Sequence, residues 1–343
     1  MGTSARELDV LGARAWPSLE EILVDGWRLR FAGGVTKRAN SVLPLAPEGA
    51  VRLDGGALAE RVAVVERAYA ERGLPPRFQI TASSWPPELR AALSRRGYVE
   101  SDRTVVMTAS LSEVEIAPAG PGWRIVQRAV PSRAWFDAWW AVDGRGGTVA
   151  ARIARSILAR IEPSRIFVEC HDDDEVVSVG LAVVDGEWGG VYCMATLPRV
   201  RRRGCAREVL RCLLASAASH GAKRAHLAVT EVNVAAQSLY RGSGFRASQR
   251  YSYFTLGGAG GGQNADVRRG HATVPLRSER WPGGGSTWRA AERDRSIQLD
   301  GEAFLTTTIM PPSSPLNGPP RRRDVRRRGT PRASSTLRCT RTG

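Results

Sequence analysis

A mixed α/β fold with one central sheet is predicted for this 343-residue sequence by three observations. Short alternating or β-branched runs bounded by Gly, Asp and Asn mark strands. Longer stretches with apolar residues three and four apart mark helices. The two patterns alternate along residues 1–256, which is the signature of helices packed on a sheet.

In the first region, Gly26-Trp27-Arg28-Leu29-Arg30-Phe31-Ala32 alternates as a strand, Gly33-Gly34 supplies a turn, and Asn40 to Leu45 resumes an extended run, so a β-hairpin is expected. Leu58, Val62, Val65 and Tyr69 stand at helical spacing before Gly73, a C-cap residue. A strand near 77–81, a helix near 87–96 and a strand near 104–109 complete the order β-β-α-β-α-β over residues 1–116. Residues 117–122, Ala-Pro-Ala-Gly-Pro-Gly, read as a linker.

The second region, 123–256, opens with a strand at 123–127, a Trp-rich helix containing Trp135, Trp139 and Trp140, and a helix near 148–161. Three extended runs follow at 165–170, 176–184 and 188–196, separated by Asp172-Asp173-Asp174 and Asp185-Gly186, and suggest an antiparallel meander. Val209, Leu210, Leu213, Leu214 and Ala217 then place an apolar stripe on one helix face. A strand at 225–230, a short helix opened by Asn233 and a strand at 250–256 end the folded part.

Residues 257–343 contain 13 Gly and 8 Pro without a period, a composition that predicts a disordered tail. This tail carries +9 of the formal charge of +16. Only Lys37 and Lys223 among the 50 basic residues are Lys, so nucleotide composition explains the basicity better than phosphate contacts do. Nucleic acid is therefore not expected as a partner. The five cysteines lack C-x-x-C pairs and neighbouring His at zinc spacing, which argues against a metal. They read as packed thiols of a reducing compartment. No apolar run approaches membrane-spanning length, and residues 1–10 offer neither a signal sequence nor a myristoylation site, since Arg6 stands where Ser or Thr is needed. A cytoplasmic location is expected.

The informative stretch is Ala195-Thr196-Leu197-Pro198-Arg199-Val200-Arg201-Arg202-Arg203-Gly204-Cys205-Ala206, which has the form R-x-x-G-x-A between a strand and an amphipathic helix. A helix N-terminus leaves backbone N–H groups unpaired and carries partial positive charge, so a small-residue turn feeding it can hold a phosphate. The plain alternative is a helix start with exposed arginines. Downstream comes strand-Asn233-helix-Leu239-Tyr240-Arg241-Gly242-Ser243-Gly244-Phe245. Together with Thr196-x-Pro198 at the strand end, the run from Met194 to Phe245 resembles the GNAT superfamily of N-acetyltransferases.

The resemblance implies that the strand backbone at Met194, Ala195 and Thr196 pairs with the pantetheine arm of acetyl-CoA. Arg201, Arg202, Arg203, Gly204, Cys205 and Ala206 would bind the pyrophosphate. Asn233 matches an asparagine near the cofactor arm, although it reads equally well as an N-cap. Tyr240 matches the tyrosine that protonates the departing thiolate; otherwise it is a packed core residue. Glu231 and Glu187 are candidate bases for the acceptor amine. The Trp cluster would line an acceptor pocket or, by the favoured reading, pack in the core, where Leu239 and Phe245 also belong. His226 reads as structural.

Leu93-Ser94-Arg95-Arg96-Gly97-Tyr98 parallels Leu239 to Phe245 as helix, Gly, aromatic and strand. Residues 1–116 therefore resemble a degenerate GNAT-like copy, with Ser94 where the tyrosine would stand and no pyrophosphate turn read ahead of it. The implied activity is acetyl transfer from acetyl-CoA to a primary amine by direct attack in a ternary complex. The alternative is an acetyl-CoA-sensing module whose basic tail contacts nucleic acid. Neither the acceptor amine nor the oligomeric state is legible in the sequence.

Overall fold

A computed structural model describes residues 4–113, 122–256, 296–298 and 304–307. Met1–Ile309 form one compact unit and Met310–Gly343 a second, the latter outside the described residues. Of the expected linker, only Gly122 is described.

The N-terminal half runs α1 (Ala5–Ala15), β1 (Glu20–Val24), β2 (Trp27–Phe31), β3 (Val42–Pro44), α2 (Gly55–Ala70), β4 (Arg77–Ile80), α3 (Leu89–Arg95) and β5 (Tyr98–Ser110). Two elements correct the expected β-β-α-β-α-β order. Helix α1 is signalled by Ser4-x-x-Glu7, and the Ser4 hydroxyl accepts from the Glu7 N–H at 3.1 Å as an N-cap. Strand β1, which was not expected, pairs antiparallel with β2 across Asp25-Gly26, and β2 pairs antiparallel with β3 on its other side as the expected hairpin.

The C-terminal half follows the expected order as β6 (Arg124–Arg128), α4 (Arg133–Asp143), α5 (Thr148–Ala159), β7 (Ser164–Asp172), β8 (Glu175–Asp185), β9 (Trp188–Thr196), α6 (Cys205–Ser219), β10 (Arg224–Thr230), α7 (Val234–Arg241) and β11 (Arg246–Leu256). Strands β6 to β9 form the expected antiparallel meander. Helix α6 lays Val209, Leu210, Leu213, Leu214 and Ala217 on one face of it, where each large apolar side chain removed from water contributes roughly 1.5–3 kcal/mol. Helices α4 and α5 cover the opposite face.

The halves are interleaved. The strand order includes β3-β4-β11-β5-β10-β9, so β5 lies between β10 and β11, and β11 lies between β4 and β5. Each half thus completes its sheet with the last strand of the other. The cores agree: Val105, Met107 and Ala109 of β5 pack under α6, whereas Phe254 of β11 packs with Val62, Val65 and Phe78 of the N-terminal half.

Most of the tail lies outside the described residues. Ser296–Gln298 (β12) and Phe304–Thr307 (β13) depart from the expectation of a tail without structure, since β13 pairs with both β12 and β1. An open sheet edge offers unpaired backbone groups, so such pairing requires no separate apolar core. Among the described residues no helix is long and apolar enough to cross a membrane.

Candidate active site

Strands β9 and β10 are parallel neighbours only from Arg224↔Trp188 to Leu227↔Val191. Beyond that point both continue, to Thr196 and Thr230, without pairing. The fork has a local cause. Tyr192 faces Leu181 and Ala195 faces Val179, so β9 carries a bulge against β8, with Cys193 at φ 52°. An extra residue on one strand bends it away from its other neighbour. Gly180 sits opposite the bulge, where an added Cβ would lie 2.7 Å from Leu213 Cδ1 and 2.8 Å from Met194 Sδ. Only glycine lets α6 approach this closely. The end of the strand is anchored by Ser178, whose hydroxyl donates to the Ala195 carbonyl at 3.0 Å and lies 2.7 Å from the Thr196 hydroxyl.

The chain leaves β9 through a short 3-10 turn at Pro198–Val200 and enters α6 with Arg202 at φ 67° and Gly204 at φ 93°. No side chain caps α6. The Arg207 and Glu208 N–H groups donate to the Gly204 carbonyl at 2.9 and 3.2 Å, whereas those of Arg202 to Ala206 have no acceptor among the described residues. A Cβ on Gly204 would meet nothing within 4 Å, although the φ of 93° disfavours any other residue there. Arg201 donates to the Thr196 carbonyl at 3.2 Å, and Arg203 pairs with Asp172 at 3.1 Å over the Trp123 ring. The buried Cys205 thiol points inward to the Val200 carbonyl, leaving its backbone for the turn. Unpaired amides, a helix N-terminus and exposed arginines fit a pyrophosphate.

Tyr240 projects from α7 into the core under α6, against which Met194 and Leu197 also pack, and meets Phe245 edge to face at 6.1 Å. Its hydroxyl has no hydrogen-bond partner among the described residues, and burial pushes its pKa up to about 12. Asn233 is exposed and caps α7, accepting from the Ala236 N–H at 3.1 Å. Glu231 lies just past β10 at the fork mouth and pairs with Arg250 at 3.1 Å. Glu187 is not brought to the others. It occupies the turn before β9, roughly 30 Å from Thr196 along the strand. It is fully exposed there, and Lys223 at 2.5 Å, with Arg224 nearby, holds its carboxyl below the usual range.

Trp135 and Trp139 are core residues. The Trp135 indole donates to the Val168 and Gly180 carbonyls, both at 3.1 Å, and Trp139 stacks edge-on against Trp16 and Phe136. His226 is buried between Trp188 and Tyr192, and its pKa falls to about 4 through burial and the nearby Arg38 cation.

The N-terminal half contains a turn that the sequence reading missed. Arg52-Leu53-Asp54-Gly55-Gly56-Ala57 has the same R-x-x-G-x-A form and opens α2 as Arg201 to Ala206 open α6. Here, however, the Asp54 carboxylate caps the helix by accepting from the Ala57 N–H at 2.8 Å, and Arg52 pairs with Glu88 at 3.0 Å. The matching fork is also occupied. Strands β3 and β4 share one pair, Val42↔Phe78, after which the Trp85 N–H donates to the Pro44 carbonyl at 2.8 Å and Leu45 bridges Ser84. The signal was legible as a motif, but Asp54 within it marks a turn that closes on itself.

A forked parallel strand pair, feeding a helix through a glycine turn and repeated within one sheet, defines a tandem GNAT fold. Two solved structures have this fold. A GCN5-related N-acetyltransferase from Kribbella flavida, 16% identical, superposes with a TM-score of 0.57 over 76% of this chain and 97% of its own. A tandem GNAT protein from the clavulanic acid biosynthesis pathway, 12% identical, gives 0.54 over 75% and 90%. The chain belongs to the family described as "Probable histone acetyltransferase Rv0428c C-terminal", whose profile matches residues 3–254. It is also 30% identical over 253 residues to the uncharacterized N-acetyltransferase YobR of Bacillus subtilis (strain 168), covering 72% of this chain and 97% of that one. It is thus an acetyltransferase of the GNAT type.

Proposed function

We propose that this acetyltransferase uses acetyl-CoA as donor and a primary amine as acceptor, by direct attack in a ternary complex. The observation that carries the reading is the continuity of the open fork with the open turn. Met194 to Thr196 form no ladder with β10, and that side of the strand suits an amide-bearing arm. The N–H groups of Arg202 to Ala206 suit the pyrophosphate, with Arg201, Arg202 and Arg203 adding charge. Asn233 serves as the α7 cap, which holds that helix and Tyr240 in place.

When bound, the thioester supplies an activated acetyl group. The amine nitrogen forms the new C–N bond as the C–S bond breaks, and the proton lost from nitrogen is matched by one gained at sulfur. Tyr240, kept protonated by its raised pKa, donates to the thiolate. Of the two candidate bases, Glu231 stands at the fork, and Glu187 is retained only as the weaker one.

The test is thiol release by the purified full chain with acetyl-CoA and a panel of amines, including lysine peptides because the family description names histones. No thiol release with any acceptor, despite tight acetyl-CoA binding, would favour a sensing module instead. Tyr240 speaks against that alternative, since a sensor needs no proton donor. We further propose a cytoplasmic location and no nucleic-acid partner.

A further inference from the structure

On the sheet face opposite α6, a cavity of about 30 Å³ lies under α1 where the two halves meet. Its wall includes Tyr192 and Ala228, the first residues of β9 and β10 beyond their last pair, so it adjoins the fork. At 10–15 Å³ for each water, the cavity holds about two oxygen-sized groups.

The polar wall is rich in donors and poor in free acceptors. Asp9 is already occupied, receiving hydrogen bonds from Thr81 at 2.6 Å, Ser83 at 2.5 Å and Gln249 at 3.2 Å. Arg30 is buried and satisfied by the Ser41 carbonyl and hydroxyl and by Gln79. His226 is neutral near pH 7. Two groups remain. Arg38 is half-buried 5.5 Å above the Tyr192 ring, shares a hydrogen bond with the Tyr251 side chain, lies near Tyr253, and has no carboxylate partner among the described residues. The Tyr192 hydroxyl is buried without any partner.

A half-buried guanidinium without a carboxylate, beside a buried phenol without a partner, favours an anion that joins them. A carboxylate accepts two parallel hydrogen bonds from arginine and matches the space available. We infer that this chamber binds the carboxylate of the acceptor, so that the acceptor is an aminocarboxylate. This rests on the proposed acetyl transfer to an amine. A lysine-rich peptide or polyamine would bring cations against Arg30 and Arg38, which disfavours both.

The test is calorimetric binding to the full chain saturated with acetyl-CoA, with thiol release measured in parallel. The probes are the twenty proteinogenic amino acids, β-alanine and 4-aminobutyrate, each beside its carboxamide. At least one acid should bind at least tenfold more tightly than its amide. Arg38→Gln should remove that preference while leaving acetyl-CoA affinity unchanged. Tyr192→Phe, which removes only a hydroxyl without a protein partner, should weaken acid binding several-fold without lowering the melting temperature. It serves as the second variant should Arg38→Gln fail to fold. Equal binding of acids and amides, binding of neither, or an acid preference that survives both substitutions overturns the inference. Carboxylate-selective binding without thiol release would keep the chamber assignment and remove the catalytic reading instead.

Discussion

The two halves of this chain carry the same R-x-x-G-x-A turn, and only one of the two turns caps its helix with a side chain. In the C-terminal half, Gly204 precedes α6 without a capping side chain, and the N–H groups of Arg202 to Ala206 have no acceptor among the described residues. In the N-terminal half, Asp54 fills the corresponding place at α2 with its own carboxylate. A carboxylate at a helix N-terminus satisfies the amides and the dipole that would otherwise attract phosphate. The forks differ in the same sense. β9 and β10 part around a bulge, whereas β3 is covered beyond Val42 by the chain at Ser84 and Trp85. One helix start leaves its amides without a side-chain cap, and the other satisfies one of them with its own carboxylate.

The sharpest way to break the comparison is to separate the halves. Residues 123–256 alone lack β5, which pairs with β10 from Arg224↔Ser110 to Thr230↔Thr104 and with β11 along most of its length. Two long bare edges should make this fragment aggregate, as size-exclusion chromatography and circular dichroism would report. A monomeric, folded fragment would refute the strand exchange.

Next in size is the response of the two turns to the same charge. Gly204→Glu should abolish acetyl-CoA binding in calorimetry while circular dichroism remains that of a folded protein. Gly55→Glu, at the self-capped turn, should leave the affinity unchanged. Similar losses in both would mean that the halves bind ligand alike.

The helices after the turns offer a third contrast. Tyr240→Phe should lower turnover by roughly 10²–10⁴-fold, the usual cost of losing a general acid, with little change in acetyl-CoA affinity. Ser94→Ala should change nothing, because its hydroxyl is exposed and donates only to the Arg90 carbonyl of its own helix. A Tyr240→Phe enzyme within twofold of the parent would take the phenol out of the reaction.

The smallest effect belongs to the cap itself. Asp54→Ala should cost about 1 kcal/mol of stability, the typical value for an N-cap, read as a drop of about 2–4 °C in melting temperature, with thiol release unaltered. A stability loss below measurement would show that α2 is held by its packing alone.

Much of the C-terminal half was legible because its signals are local. Alternation marked β7, β8 and β9, a stripe of apolar residues marked α6, and Gly204 marked the turn that joins β9 to α6. Helix α1 was missed although Ser4-x-x-Glu7 announces it, because its buried face carries only two large apolar side chains, Leu8 and Leu11. Glu187 stood before the right strand in sequence but at the wrong end of it in space, since an extended chain carries its two ends far apart.

By itself the sequence determined where strands and helices lie in the C-terminal half, which turn can hold a phosphate, and which tyrosine follows it. These depend on propensity and on spacing within a few residues. Tertiary structure alone decided that β5 and β11 change places and that Arg38, Tyr192 and Tyr251 meet across the seam of the halves. Residues so distant along the chain meet only after strands have chosen partners, and that choice is set by burial and edge satisfaction across the whole sheet rather than by any local pattern.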